Sequence, residues 1–183
     1  DVYKRQFMIR VISINPSLSF PDLVFFRREQ NRILWKKIQS AQVDDIIYMY
    51  VSKDKRNKAT KERHKKIKEE RVRMLNAEGE LETEQNIPDQ RIYYKAIVRG
   101  VHIKATKEEL YNPTWIEEKD WDKQVEENDN VLLELLQDFT PEQREALTKS
   151  KLGEYGFRKN QTVNNITDNQ RLLDYIKSVE EGC

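Results

Sequence analysis

Asp44-Asp45-Ile46-Ile47-Tyr48-Met49-Tyr50-Val51 has a counterpart further along the chain, Arg91-Ile92-Tyr93-Tyr94-Lys95-Ala96-Ile97-Val98, and the pair decides the fold class. Both segments are rich in β-branched and aromatic residues, which suit a pleated, half-buried surface. They read as two strands made to pair. The stretch between them, residues 53–90, is strongly charged. The reading that follows is a small β-barrel carrying a solvated helical arm, an architecture better suited to binding than to catalysis.

The arm is lopsided in charge. Residues 53–73 hold eleven Lys/Arg against four acids, although the whole chain of 183 residues carries a net charge of only +1. A helix is expected from Thr60 to Asn76. Its residues favour helix, and Glu62/Lys66 and Glu69/Arg73 form i,i+4 pairs. Its apolar stripe (Ile67, Val72, Met74, Leu75) is thin, so it should project from the body or lie loosely on it. Contact with phosphates and plain solvation are evenly weighted readings of its cationic excess.

Outward from the strand pair, Phe7 to Ile14 reads as a strand that Asn15-Pro16 breaks. Val131 to Leu136 is a short apolar run, strand or helix. Thr140-Pro141-Glu142-Gln143 carries an N-cap, a proline at the first helical position and the Gln of a capping box. Its helix is expected to reach about Lys151. Thr167-Asp168-Asn169-Gln170 repeats the pattern ahead of a helix with Leu172, Tyr175, Ile176 and Val179 on one face.

Composition removes several functions. No apolar run approaches the ~20 residues that span a bilayer, and the single cysteine, Cys183, excludes a disulfide framework. A cytoplasmic location without membrane contact is expected. Two histidines and one terminal cysteine make a His/Cys metal site unpromising, and no cofactor is expected. No P-loop, dinucleotide glycine pattern or nucleophile elbow is present, so no catalytic residues are assigned and the chain is not read as an enzyme. His64 reads as a solvated surface residue and His102 as an edge residue. Asp44/Asp45 read as a turn.

The aromatics carry more. Trp35, Tyr48, Tyr50, Tyr93 and Tyr94 cluster around the strand pair. Most should fill a small barrel. Trp35 is the expected exception, because Lys36-Lys37 would place phosphate-binding charge beside a stacking face.

Taken in order, Ile12-Ser13-Ile14-Asn15-Pro16, Ile33-Leu34-Trp35, Val43 to Lys53, Ile92-Tyr93-Tyr94-Lys95 and Leu152 to Gln161 resemble the EVE domain of the PUA-like superfamily, related to YTH and ASCH domains. The similarity is greatest to a prokaryotic and phage branch often joined to HNH nucleases. It implies an α+β, PUA-like mixed β-barrel with flanking helices, spanning 7–183 as one domain with 53–90 inserted. It also implies an aromatic pocket for a modified base, such as methylated or hydroxymethylated cytosine, in nucleic acid, DNA by preference. A defence or restriction setting follows, with any HNH-type nuclease supplied by another domain or chain. Asn15, Trp35, Tyr50, Tyr94, Arg158 and Gln161 become the expected base-binding set. Lys36, Lys37, Lys61, Arg63, Lys65 and Lys66 become the expected phosphate contacts. Two departures stand out. Asp44 occupies a usual glycine position, and the insertion replaces a short link. A protein-interaction module built on the arm, an RNA-binding PUA-like protein and a stand-alone nucleotide enzyme are the competing readings. Asp1 to Gln6 resembles a translated sequencing-adapter remnant from a metagenomic contig; the natural start is therefore expected to be missing.

Overall fold

The computed structural model describes residues 7–14, 32–53, 58–59, 62, 88–105 and 126–182. Six strands form one mixed sheet: β1 (Ile9–Ile14), β2 (Arg32–Lys36), β3 (Ile46–Val51), β4 (Arg91–Ile103), β5 (Asn130–Asp138) and β6 (Val163–Asn165). Their order is β2-β5-β4-β3-β1-β6. Among the described residues the sheet is open, ending on β2 and β6, so the closed barrel expected from the sequence is corrected to an open α+β sheet. β6 is a three-residue strand at one margin, and β2 pairs only with β5.

The two diagnostic segments do pair. β3 and β4 run antiparallel, with Ile46 opposite Ile97 and Val51 opposite Arg91. The Gln90 amide donates to the Val51 carbonyl at 2.6 Å, closing the base of the pair beneath the charged insertion. Lys58, Ala59 and Glu62 of that insertion are helical. The rest of the expected arm lies outside the described residues.

Period-two alternation splits the apolar residues between two cores. Ile47, Met49 and Val51 pack on one face with Ile12, Ile14, Trp35, Tyr94 and Val98. Tyr48 and Tyr50 pack on the other with Val11, Ile92, Phe139 and the helical residues Leu152, Leu172, Ile176 and Val179. A central strand buried on both faces reads as a nearly unbroken apolar run, which is how β3 reads.

The helices sit against the second face: α1 (Pro141–Ala146), α2 (Lys149–Gly153) and α3 (Gln170–Glu180). The Thr140 capping box forms as expected. Its helix ends at Leu147 rather than near Lys151, because Thr148 caps a new short helix by accepting from the Lys151 amide. Asn169, not Thr167, caps α3. Thr167 is occupied elsewhere, its hydroxyl accepting from the Ile9 amide of β1 at 2.9 Å. The ambiguous run at 131–136 is strand β5.

Candidate nucleic-acid interface

The two ends of β3 differ in what their buried polar groups find. Asp45, just before the strand, is 0% exposed. Its carboxylate accepts from the Met8 and Gln42 amides, each at 3.0 Å, and pairs with the Arg10 guanidinium at 3.0 Å. Arg10 is itself buried and also donates to the Ser40 carbonyl. The turn before it bears out the aspartate reading: Asp44 has φ +76, the left-handed conformation in which glycine or Asp/Asn is at ease.

At the other end lies Tyr50, 1% exposed. A register shift falls between Met49 and Tyr50, whose partners are Tyr94 and Ile92, so Tyr93 is the extra residue of a β-bulge. Bulges re-aim side chains and are frequent beside functional sites. The Tyr50 ring lies 6.1 Å from Phe157, tilted by 49°, and the Lys159 ammonium is 5.9 Å from its centroid. Its buried hydroxyl makes no hydrogen bond. Burial, and next the nearby Asp89 carboxylate, push that phenol up to about 12. It is therefore a neutral donor at ordinary pH. Unmade hydrogen bonds of buried groups cost about 1–3 kcal/mol, so each one calls for an explanation.

Several chain segments meet at this end. β1 and β3 run parallel and finish together, with Ile14 opposite Val51. The Ser52 hydroxyl donates to the Ile14 carbonyl at 3.1 Å, and the Ser13 amide donates to the Thr162 carbonyl at 2.8 Å. Arg158 and Gln161 are exposed on the segment that carries Phe157 and Lys159. Gly156, at φ +86, makes the turn into that segment.

The remaining expected site residues disperse. Trp35 is 3% exposed and fills the first core. Through Val131 it stands level with the far end of β4, between Gly100 and Ile103, whereas Tyr50 stands level with Ile92. That separates them by roughly 30 Å of strand and puts them in different cores. The expectation of an open Trp35 face beside Lys36 and Lys37 is therefore corrected: the ring is packing. Tyr94 is fully buried in Trp35's core, 6.2 Å from Tyr93. Asn15, Lys61, Arg63, Lys65 and Lys66 lie outside the described residues.

Lys37 borders a second feature, an open cleft of about 550 Å³ lined by Ile38, Ser40, Ala41, Val101, His102 and Asp129. Asp129 pairs with Lys37 at 3.5 Å and with His102 at 3.2 Å. Partial desolvation raises the Asp129 pKa, but His102 and Lys37 outweigh it and hold the carboxyl below its ordinary value. Lys36 is half-buried on β2, opposite Asn130. These cations lie at the end of the sheet remote from Tyr50.

Sequence reading missed Phe157, Lys159 and Asp89 as neighbours of Tyr50. Phe157 and Lys159 lie in the tail that carried the family resemblance, so they were visible but unassigned. Asp89 had no local signal, because only the strand register brings it to Tyr50.

No family model matches the sequence, and no curated protein matches it. Among solved structures, human THYN1 in complex with 5-methylcytosine-containing DNA is similar at TM-score 0.51 and 10% identity, covering 96% of this chain and 99% of that one. ASCH from Zymomonas mobilis is similar at TM-score 0.47 and 12% identity, covering 91% of this chain and 94% of that one. The likeness to THYN1 is one of overall fold.

Proposed function

We propose that this chain is a nucleic-acid-binding module that takes a modified base at the shared end of β1 and β3. The unpartnered, buried Tyr50 hydroxyl carries this reading. A base extruded from a duplex needs a ring to pack against and polar groups that read its hydrogen-bonding edge. Tyr50 and Phe157 supply rings, and the Tyr50 hydroxyl supplies a donor with no partner among the described residues. Lys159, Arg158 and Gln161, at or beside the surface there, supply charge and hydrogen bonds for the backbone of the same strand.

The likeness to THYN1 supports this reading at the level of fold, since that protein was crystallised with DNA containing 5-methylcytosine. DNA is the proposed polymer, and a separate HNH-type nuclease chain is the proposed partner in modification-dependent restriction. The test is a titration of the full chain with duplexes carrying one cytosine, 5-methylcytosine or 5-hydroxymethylcytosine. A modified duplex should bind at least about tenfold tighter than the unmodified one, and Tyr50→Phe should remove most of that difference. Equal binding of all three by the wild-type chain would sink the proposal.

A further inference from the structure

At the same end of β3 lies a second group without a partner among the described residues, the half-buried Asp89. Asp89 precedes β4 by two residues. The Gln90 amide is bonded to Val51, and the Arg91 Nε donates to the Asp89 carbonyl at 3.1 Å, so the backbone of Asp89 is pinned against the end of β3 next to Tyr50. Gln90 holds φ +54, an uncommon conformation for a residue with a side chain. The neighbouring guanidinium is spent on Glu145, at 2.5 Å. Among the described residues the Asp89 carboxylate has no hydrogen bond and no ion pair. It also fails to accept from the Tyr50 hydroxyl, although its charge acts on that phenol.

A lone donor and a lone acceptor held at the same end of β3 form a template. We infer that Tyr50 and Asp89 together read the edge of an amino-bearing base, with the Tyr50 hydroxyl donating to a ring nitrogen and the Asp89 carboxylate accepting from the adjacent exocyclic amine. This rests on the proposed base site at the end of β3. Cytosine and adenine present that pattern, an amine next to an unprotonated ring nitrogen. On their Watson–Crick edges thymine, uracil and guanine present a carbonyl oxygen there, beside a protonated ring nitrogen that cannot accept. A carbonyl facing a carboxylate is repelled and leaves both groups unsatisfied. Glu/Asp acceptance from the cytosine amine is an established base-reading contact. Sites that hydrogen-bond a ligand group reject analogues lacking it more strongly than sites relying on shape do.

5-Methylcytosine and thymine carry the same methyl group on the same ring and differ only at this edge. The full chain is titrated with one duplex sequence holding 5-methylcytosine·G, T·A or T·G at the central position, with unmodified C·G as the reference. T·G is the stringent control, because a mismatched base is easier to extrude than a paired one. The wild-type chain should bind the 5-methylcytosine duplex at least about tenfold tighter than either thymine duplex. Asp89→Asn offers an amide that can donate as well as accept, and it should bring the three within about threefold. Matched denaturation midpoints for the two proteins would show that the variant is folded.

The outcomes separate. Equal wild-type binding of 5-methylcytosine and thymine, both above unmodified cytosine, overturns the edge-reading inference and leaves the base site standing. Discrimination that persists in Asp89→Asn overturns the role of Asp89. Binding indifferent to every central base overturns the site and the inference together.

Discussion

Asp45 and Tyr50 sit at opposite ends of one short strand, both buried, and are treated in opposite ways. Asp45 is a charge whose oxygens are filled by two amides and a guanidinium. Tyr50 is a neutral group whose single hydroxyl meets no partner among the described residues. A filled polar network holds a turn in one arrangement. An unanswered donor costs stability and does nothing for the fold. The contrast separates the end that organises the protein from the end where we propose that a base is taken.

The sharpest way to break this comparison is Asp45→Ala. Removing one member of a buried ion pair strands the other, and the expected loss is about 3–5 kcal/mol in chemical denaturation. A loss below about 1 kcal/mol would mean that Arg10 finds water and that the network is not structural. Next comes Trp35→Ala, expected to cost about 3–5 kcal/mol because it empties a core position. A near-neutral effect would contradict the packing role and restore an accessible ring.

Tyr50→Phe should behave in the opposite sense. Removing an unsatisfied buried hydroxyl is expected to leave stability unchanged or raise it by about 1 kcal/mol while base-dependent binding falls. A clear destabilisation would reveal a partner for the hydroxyl and erase the contrast with Asp45. The same group has a pH signature. Its pKa is raised from the ordinary 10.0 of a solvated tyrosine to about 12 in the folded protein. Its contribution to stability is therefore fully present below pH 10 and is lost as pH rises towards 12. Wild type should lose stability across that window faster than Tyr50→Phe, as measured by denaturation at stepped alkaline pH. Identical slopes would place the phenol in water.

Smaller effects belong to the caps. Asn169→Ala removes the acceptor for the Leu172 amide and the donor to the Tyr155 carbonyl, and should cost about 1 kcal/mol by thermal unfolding. Smallest of all is Lys37→Ala, whose pairing with Asp129 lies at the surface. A change within about 0.5 kcal/mol is expected, and it should vanish at high salt.

Much of the architecture was legible because its signals are local. The β3–β4 pairing followed from two β-branched, aromatic runs. The Thr140 cap followed from four consecutive residues, and the α3 stripe from helical spacing. The second cap was misplaced by two residues, because Thr167 and Asn169 are both capable caps. The choice fell to β1, whose Ile9 amide took the Thr167 hydroxyl. Of the expected site residues, Tyr50, Arg158 and Gln161 lie at the β1–β3 end, where the base site is proposed, whereas Trp35 stood out only for its neighbours in sequence, Lys36 and Lys37. Local adjacency says nothing about which core a strand residue enters, and β2 pairs with β5 at the far end of the sheet.

What the sequence determined by itself is the period-two pattern of its strands, the caps of its helices and the concentration of charge in residues 53–73, because each depends on residues within a few positions of one another. What only the tertiary structure decided is which polar groups are answered. Asp45 meets Arg10 across 35 positions, Tyr50 meets Phe157 across more than a hundred, and Gln90 meets Val51 across the whole insertion. Strand register makes those meetings, and no local run of residues encodes them.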